Sequence, residues 1–128
     1  GNRMGQNLAL KMTTKQSNVL TTFNEWMKDS LVKGWFDEVK DYKFGTSFSS
    51  KTGHYTQMVW ATTSKVGCAY TYYKEGSWYA GYIVCNYKPP GNWYGKNPYK
   101  KGPVNCTAHN LQGSGKYKNL CLEKQGNH

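Results

Sequence analysis

The chain has 128 residues, with 17 Lys and Arg against 7 Asp and Glu, and a formal net charge of +10. That length excludes more than one ordinary domain, and no apolar run reaches the roughly 20 residues of a membrane-spanning helix. The four cysteines contain no CxxC pair, which excludes a zinc ribbon and points to two disulfides formed in an oxidising compartment.

Gly5-Gln6-Asn7 reads as an opening turn, followed by a short apolar stretch of Leu8, Ala9, Leu10 and Met12. A helical pattern begins near Val19, where Leu20, Phe23, Met27 and Leu31 recur at helical spacing beside Trp26. It continues past Gly34 through Trp35, Phe36 and Val39, so a kink or two abutting helices are expected at that glycine. Glu38 and Tyr42 share one face of the second part. Residues 43–53 are rich in Gly and Ser and read as a loop. Thr52 is expected to cap a short helix over residues 54–62, with His54 in its first turn.

The strongest strand pattern follows. Residues 66–73 and 78–87 are rich in aromatic and β-branched side chains and flank Gly76-Ser77, which predicts a hairpin. A turn there sets Cys68 across from Cys85, within disulfide reach. Pro89-Pro90-Gly91 ends the second strand. Residues 95–128 are poor in apolar side chains, and Cys106 and Cys121 are expected to bridge each other. Closing a loop of that length contributes about 3 kcal/mol in the chain-entropy model. Asn105-Cys106-Thr107 is a formal glycosylation sequon, with a cysteine at its centre that hinders modification.

Two stretches carry a family resemblance: Gly53-His54-Tyr55-Thr56-Gln57-Met58-Val59-Trp60, and Tyr82-Ile83-Val84-Cys85-Asn86-Tyr87 with the Lys88-Pro89-Pro90-Gly91-Asn92 that follows. With Gly5-Gln6-Asn7-Leu8-Ala9 and Trp35-Phe36-Asp37-Glu38-Val39-Lys40-Asp41-Tyr42, they resemble the signatures of the CAP superfamily. That group includes cysteine-rich secretory proteins, antigen 5 proteins and plant pathogenesis-related proteins of class 1. Arthropod antigen 5-like proteins of venom or saliva are the most similar branch. The resemblance implies an α+β fold, a three-layer α-β-α sandwich with an antiparallel sheet. It divides the chain into a CAP portion at 1–95 and a disulfide-stapled basic tail at 96–128. It also implies a preceding segment whose helix supplies a further histidine. This chain would start after that segment, and one sheet face or the cleft would then be partly uncovered.

By the same resemblance His54, Glu38 and Gln6 fall at positions that line a central cleft and in several members bind a divalent metal. Tyr55 and Gln57 are expected in the same cleft. Zinc takes imidazole, thiolate or carboxylate ligands, so His54 and Glu38 supply an incomplete set, and the neutral Gln6 is a poor addition. Another divalent metal meets the same shortage. His109 and His128 lack partners at ligand spacing and are expected to be solvent-exposed. No Gly-x-Ser-x-Gly elbow, His-Glu-x-x-His or P-loop occurs. Nothing in the spacing brings Ser47, Ser49 or Ser50 to His54.

These readings favour a secreted, monomeric binding or effector module without catalysis. Its target would be an extracellular or membrane protein. The alternatives are a metal-assisted hydrolase using His54 and Glu38, and a lipid or sterol carrier. The positive charge suits anionic glycan or lipid surfaces, and secretion argues against nucleic acid. The 11 tyrosines and five tryptophans suit a small core, and equally a lipid or glycan groove.

Overall fold

A computed structural model describes residues 3–124. The first strand, β1 (Gly5–Thr13), lies where the sequence suggested an opening turn. The signal for it is a period of two: Leu8, Leu10 and Met12 alternate with Asn7, Ala9, Lys11 and Thr13. Helix α1 (Val19–Lys28) starts at Asn18, whose side chain accepts from the backbone N–H groups of Leu20 (2.8 Å) and Thr21 (3.0 Å). The chain then widens into a π-helical segment, Asp29–Trp35, and tightens into a 3-10 segment, Phe36–Asp41. Gly34 sits inside the widened part. The break expected at that glycine is therefore spread over a change of helix type.

Helix α2 (Gly53–Met58) is shorter than expected. Strands β2 (Lys65–Glu75) and β3 (Trp78–Lys88) form the anticipated hairpin around Gly76-Ser77, with Gly76 at φ +61°. Cys68 pairs with Cys85 in register and is bonded to it. The sheet order is β1-β3-β2, antiparallel throughout. In the tail, a 3-10 turn (Thr107–His109) leads to β4 (Leu111–Gly113), which pairs with β5 (Cys121–Glu123). The bridge between Cys106 and Cys121 closes that hairpin. His109 is exposed, and His128 lies outside the described residues.

The helical segments pack on one face of the sheet. Central strand β3 presents Ile83, Cys85 and Tyr87 to Trp35, with Ala9, Trp26, Met27, Leu31, Met58 and Tyr70 around them. The other face exposes Leu8, Leu10, Met12 and Tyr82. Among the described residues, the three-layer arrangement is represented by the sheet and one helical layer.

Gly81 shows how close that packing is. A side chain there would run into the Trp26 ring and the Tyr70 hydroxyl. Gly81→Ala is expected to destabilise the chain by about 1–3 kcal/mol through overpacking. Thermal unfolding measures this directly, and an unchanged midpoint would show that α1 can move off the sheet at no cost.

Candidate functional site

The site is assembled around α2. His54 occupies the first turn, and its Nδ1 lies 2.8 Å from Glu38 Oε2. A carboxylate only accepts, so in the neutral ring Nδ1 carries the proton and Nε2 the lone pair. The other carboxylate oxygen, Oε1, accepts the backbone N–H of Tyr55 at 2.9 Å. Glu38 therefore caps α2 from a neighbouring segment. Thr52, expected to be the cap, makes no side-chain capping bond. Its backbone carbonyl instead accepts from Thr56 N at 3.0 Å.

Trp35 completes the setting. Its indole stacks on the His54 ring at 5.8 Å between centroids and 11° between planes, while its Nε1–H donates to Leu8 O at 3.2 Å. Trp35 ends the π-helical segment and Glu38 follows three residues later in the 3-10 segment, a spacing that delivers both side chains to one histidine. Asn7 holds the far side of α2. Its Nδ2 lies 3.2 Å from both the His54 carbonyl and the Tyr87 hydroxyl oxygen, and donates to them. Trp35 and Asn7 stand in the recognised stretches, yet sequence reasoning gave them no role. The strand alternation of β1 was the available signal for Asn7.

Other expected site residues are placed differently. The pleat that turns Asn7 toward α2 turns Gln6 to the opposite face. There Gln6 is exposed and its Nε2 donates to Asn86 Oδ1 at 2.7 Å. The expectation that Gln6 lines the cleft beside His54 is corrected on that ground. Gln57 is fully buried at 1% exposure. Its Oε1 accepts from Gly91 N at 3.0 Å and its Nε2 donates to Thr63 Oγ1 at 3.2 Å. It is a strut between α2 and the turn after β3, not a cleft wall.

Tyr55 is buried against Phe36 and Tyr42, with ring centroids 5.6 and 5.5 Å away. Burial pushes its phenol up to about 12, and the nearby Tyr99 and Tyr42 hydroxyls add to the effect.

Among the described residues, His54 and Glu38 are an incomplete donor set for a bound metal. Each Glu38 oxygen already accepts one hydrogen bond, from His54 or from a backbone N–H. One imidazole nitrogen remains, and among the described residues no group of three His, Cys, Asp or Glu side chains converges. A divalent ion needs more ligands than that.

The arrangement can be set beside known proteins. The model of the cysteine-rich secretory protein family, CAP, matches residues 4–87. The chain belongs to that family. It is 67% identical over 122 residues to a salivary antigen-5 of Dipetalogaster maximus, covering 95% of this chain and 49% of that one. It is 52% identical over 130 residues to a salivary antigen-5 of Triatoma infestans, covering 98% and 53%. The chain thus spans about half the length of these CAP relatives. The crystal structure of hookworm platelet inhibitor superposes with a TM-score of 0.63 at 22% identity, over 95% of this chain and 63% of that one. That likeness concerns the fold alone. The crystal structure of NaASP2 with Zn2+ gives a TM-score of 0.61 at 30% identity, over 91% and 60%.

Two outcomes are expected. Glu38→Ala orphans the Tyr55 N–H and should cost about 1–3 kcal/mol of stability. Glu38→Gln keeps a carbonyl acceptor and should cost less than half as much; equal losses would mean that the charge, not the cap, matters. The raised Tyr55 pKa gives a second test. The folded chain holds a proton that the unfolded chain releases at about 10, so stability is full below that pH and falls as pH rises through about 12. Alkaline unfolding curves should be flatter in Tyr55→Phe, and an unchanged slope would reject the assignment.

Proposed function

We propose that the chain is a target-binding portion of a secreted antigen 5-like protein, acting by occupying an extracellular partner and not by turnover. One observation carries this reading. His54 Nε2, the lone pair best suited to chemistry, has no hydrogen-bonded nucleophile beside it among the described residues, and Glu38, which holds Nδ1, is also tied to the start of α2. A general base must reach the proton of a nucleophile or water in a substrate-bound pose. No serine of the 47–50 loop is hydrogen-bonded to His54, and Ser49 Oγ accepts the Lys51 backbone N–H at 3.2 Å.

Three facts support secretion and binding. The relatives include salivary antigen-5 and venom allergen 5 proteins. All four cysteines are paired. No described helix is long and apolar enough to cross a membrane. The net charge of +10 favours partners with anionic surfaces, whether sulfated glycans or acidic lipid headgroups. The hydrolase reading draws on the same His54 and Glu38 and needs a nucleophile or water at His54 Nε2. The lipid-carrier reading needs an enclosed apolar pocket. Met4, Val66 and Val84 border a wide, open trough on the sheet instead.

The test pairs turnover with binding. Peptide and ester substrates should be cleaved no faster by the chain than by His54→Ala, with or without added zinc. A rate that His54→Ala abolishes in a folded sample would replace the binding reading with the hydrolase. On the binding side, the chain should be retained on a sulfated-glycan surface and released as salt rises. Passage without retention there, and on acidic vesicles, would remove the anionic partner.

A further inference from the structure

The triplet Asn105-Cys106-Thr107 in the tail takes no part in the site around α2, and it is the one Asn-x-Ser/Thr triplet in the chain. Asn105 and Thr107 are exposed, and Cys106 is half-buried. Asn105 Oδ1 accepts from Thr107 Oγ1 at 3.2 Å and from the Ala108 backbone N–H at 3.3 Å. A backbone N–H only donates, so the amide atom facing it is the oxygen. Nδ2 is then the branch left over, and among the described residues it donates to no protein acceptor.

That division matters because Nδ2 is the atom through which an N-linked glycan is attached. The fold uses the oxygen, and the nitrogen can carry a substituent without breaking a bond within the protein. The segment that follows keeps the amide in place. Thr107–His109 form a 3-10 turn, Leu111 N donates to Cys106 O at 2.9 Å, and Cys106 is bridged to Cys121. Because Asn105 is exposed, a group on Nδ2 meets solvent. Val104 and Leu120 flank the bridged cysteines and are 52% and 58% exposed. This end of the tail presents apolar side chains that a bulky polar group would screen from other chains.

The central cysteine hinders modification only once its bridge has closed. Its partner, Cys121, lies 15 residues further along the chain, so Asn105 is synthesised before the bridge can form. In that interval the triplet is an open segment. We propose that Asn105 is an N-glycosylation site, modified before Cys106 pairs with Cys121, and that its glycan projects from the folded tail into solvent. The donor is an oligosaccharide joined through a diphosphate to a polyisoprenoid lipid. A bond forms between Nδ2 and the anomeric carbon of the first N-acetylglucosamine. The bond from that carbon to the diphosphate oxygen breaks, the lipid diphosphate leaves, and Nδ2 gives up one proton to a base of the transferase. Nothing is oxidised or reduced. The inference goes beyond the binding reading and shares with it only the secretory route. It does not involve His54 or Glu38.

The test uses the full chain, led into the secretory pathway of insect cells by a cleavable leader and purified from the medium. The microsomal fraction of the same cells is weighed alongside, so a chain held back inside the cell is still read. The intact mass should exceed that of the bare polypeptide by a series of hexose and N-acetylhexosamine increments, and peptide N-glycosidase should remove them. Thr107→Ala should abolish the added mass while leaving both disulfides intact. Thr107→Ser, which restores the hydroxyl, should restore at least part of it. Asn105→Gln should abolish it again, which keeps the test intact where one variant fails to fold. A chain at the bare mass in both fractions would overturn the site. If Cys121→Ser then gains the glycan, early closure of the bridge is the cause. Added mass that survives Thr107→Ala and Asn105→Gln would overturn it too, since the sugar is then carried elsewhere. Retention on the sulfated-glycan surface is measured on the same samples. If retention persists while the glycan is absent, the glycosylation site falls and the binding reading stands.

Discussion

Helix α2 is six residues long, too short to hold itself in water, and much of the structure is arranged to hold it. Its carbonyl groups at Gly53 and His54 accept from Asn92 and Asn7. Its N–H at Tyr55 is taken by Glu38. Gln57 reaches out from it to Gly91. These partners come from β1, from the 3-10 segment and from the turn after β3, so α2 is the place where distant parts of the chain meet. The His54–Glu38 pair sits on one side of this one turn and a half. The pair inherits its geometry from the amides of Asn7, Gln57 and Asn92 and from one carboxylate. A network of this kind specifies position well when every member is satisfied, and loses more than one bond when a member is removed.

That dependence explains what could be read from the sequence. The β2–β3 hairpin was legible because turn chemistry and alternation agree around Gly76-Ser77, and register then dictates the Cys68–Cys85 bridge. The meeting of His54 and Glu38 was legible only through the family resemblance, since nothing local brings residues 38 and 54 together. Gln6 was misplaced for a simple reason. A strand sends neighbours to opposite faces, so treating Gly5-Gln6-Asn7 as a turn left its facing undetermined, and a one-residue error inverts it. Thr52 failed as a cap because a nearby carboxylate competes for the same N–H groups with a charge-assisted bond. Gln57 shows no signal at all in the sequence. A buried glutamine is recognisable only once the backbone groups it satisfies, here at Gly91, have been located.

The charge distribution separates the site from the surface. The acidic partner of His54 is engaged and only partly exposed, with 19% of its side chain open. The ion pairs at Lys33–Asp29 and Lys40–Asp37 are surface pairs at helical spacing. Such pairs contribute little to stability. With 17 basic and 7 acidic residues, the excess positive charge remains on the exterior and acts at a distance. It raises the encounter rate with anionic surfaces and decays over about 8–10 Å at ordinary salt. Long-range attraction of that kind is indifferent to detail. Discrimination between partners has to come from short-range shape.

The two disulfides act in different physical settings. Cys85 is fully buried in the core, so its bridge to Cys68 reinforces a pair of strands that already share a ladder of hydrogen bonds. The tail has almost nothing comparable. Leu120, Leu122, Val104 and Tyr117 are all half-exposed, and β4 and β5 are three residues each. A two-stranded hairpin of that size is not stable by itself. Its order depends on the Cys106–Cys121 link, whose loop-closure effect of about 3 kcal/mol is comparable with burying one or two large apolar side chains. Ala61 N donates to Pro98 O at 2.8 Å, tying the start of the tail to the end of α2. Reduction would therefore act unevenly, releasing the tail before the sheet.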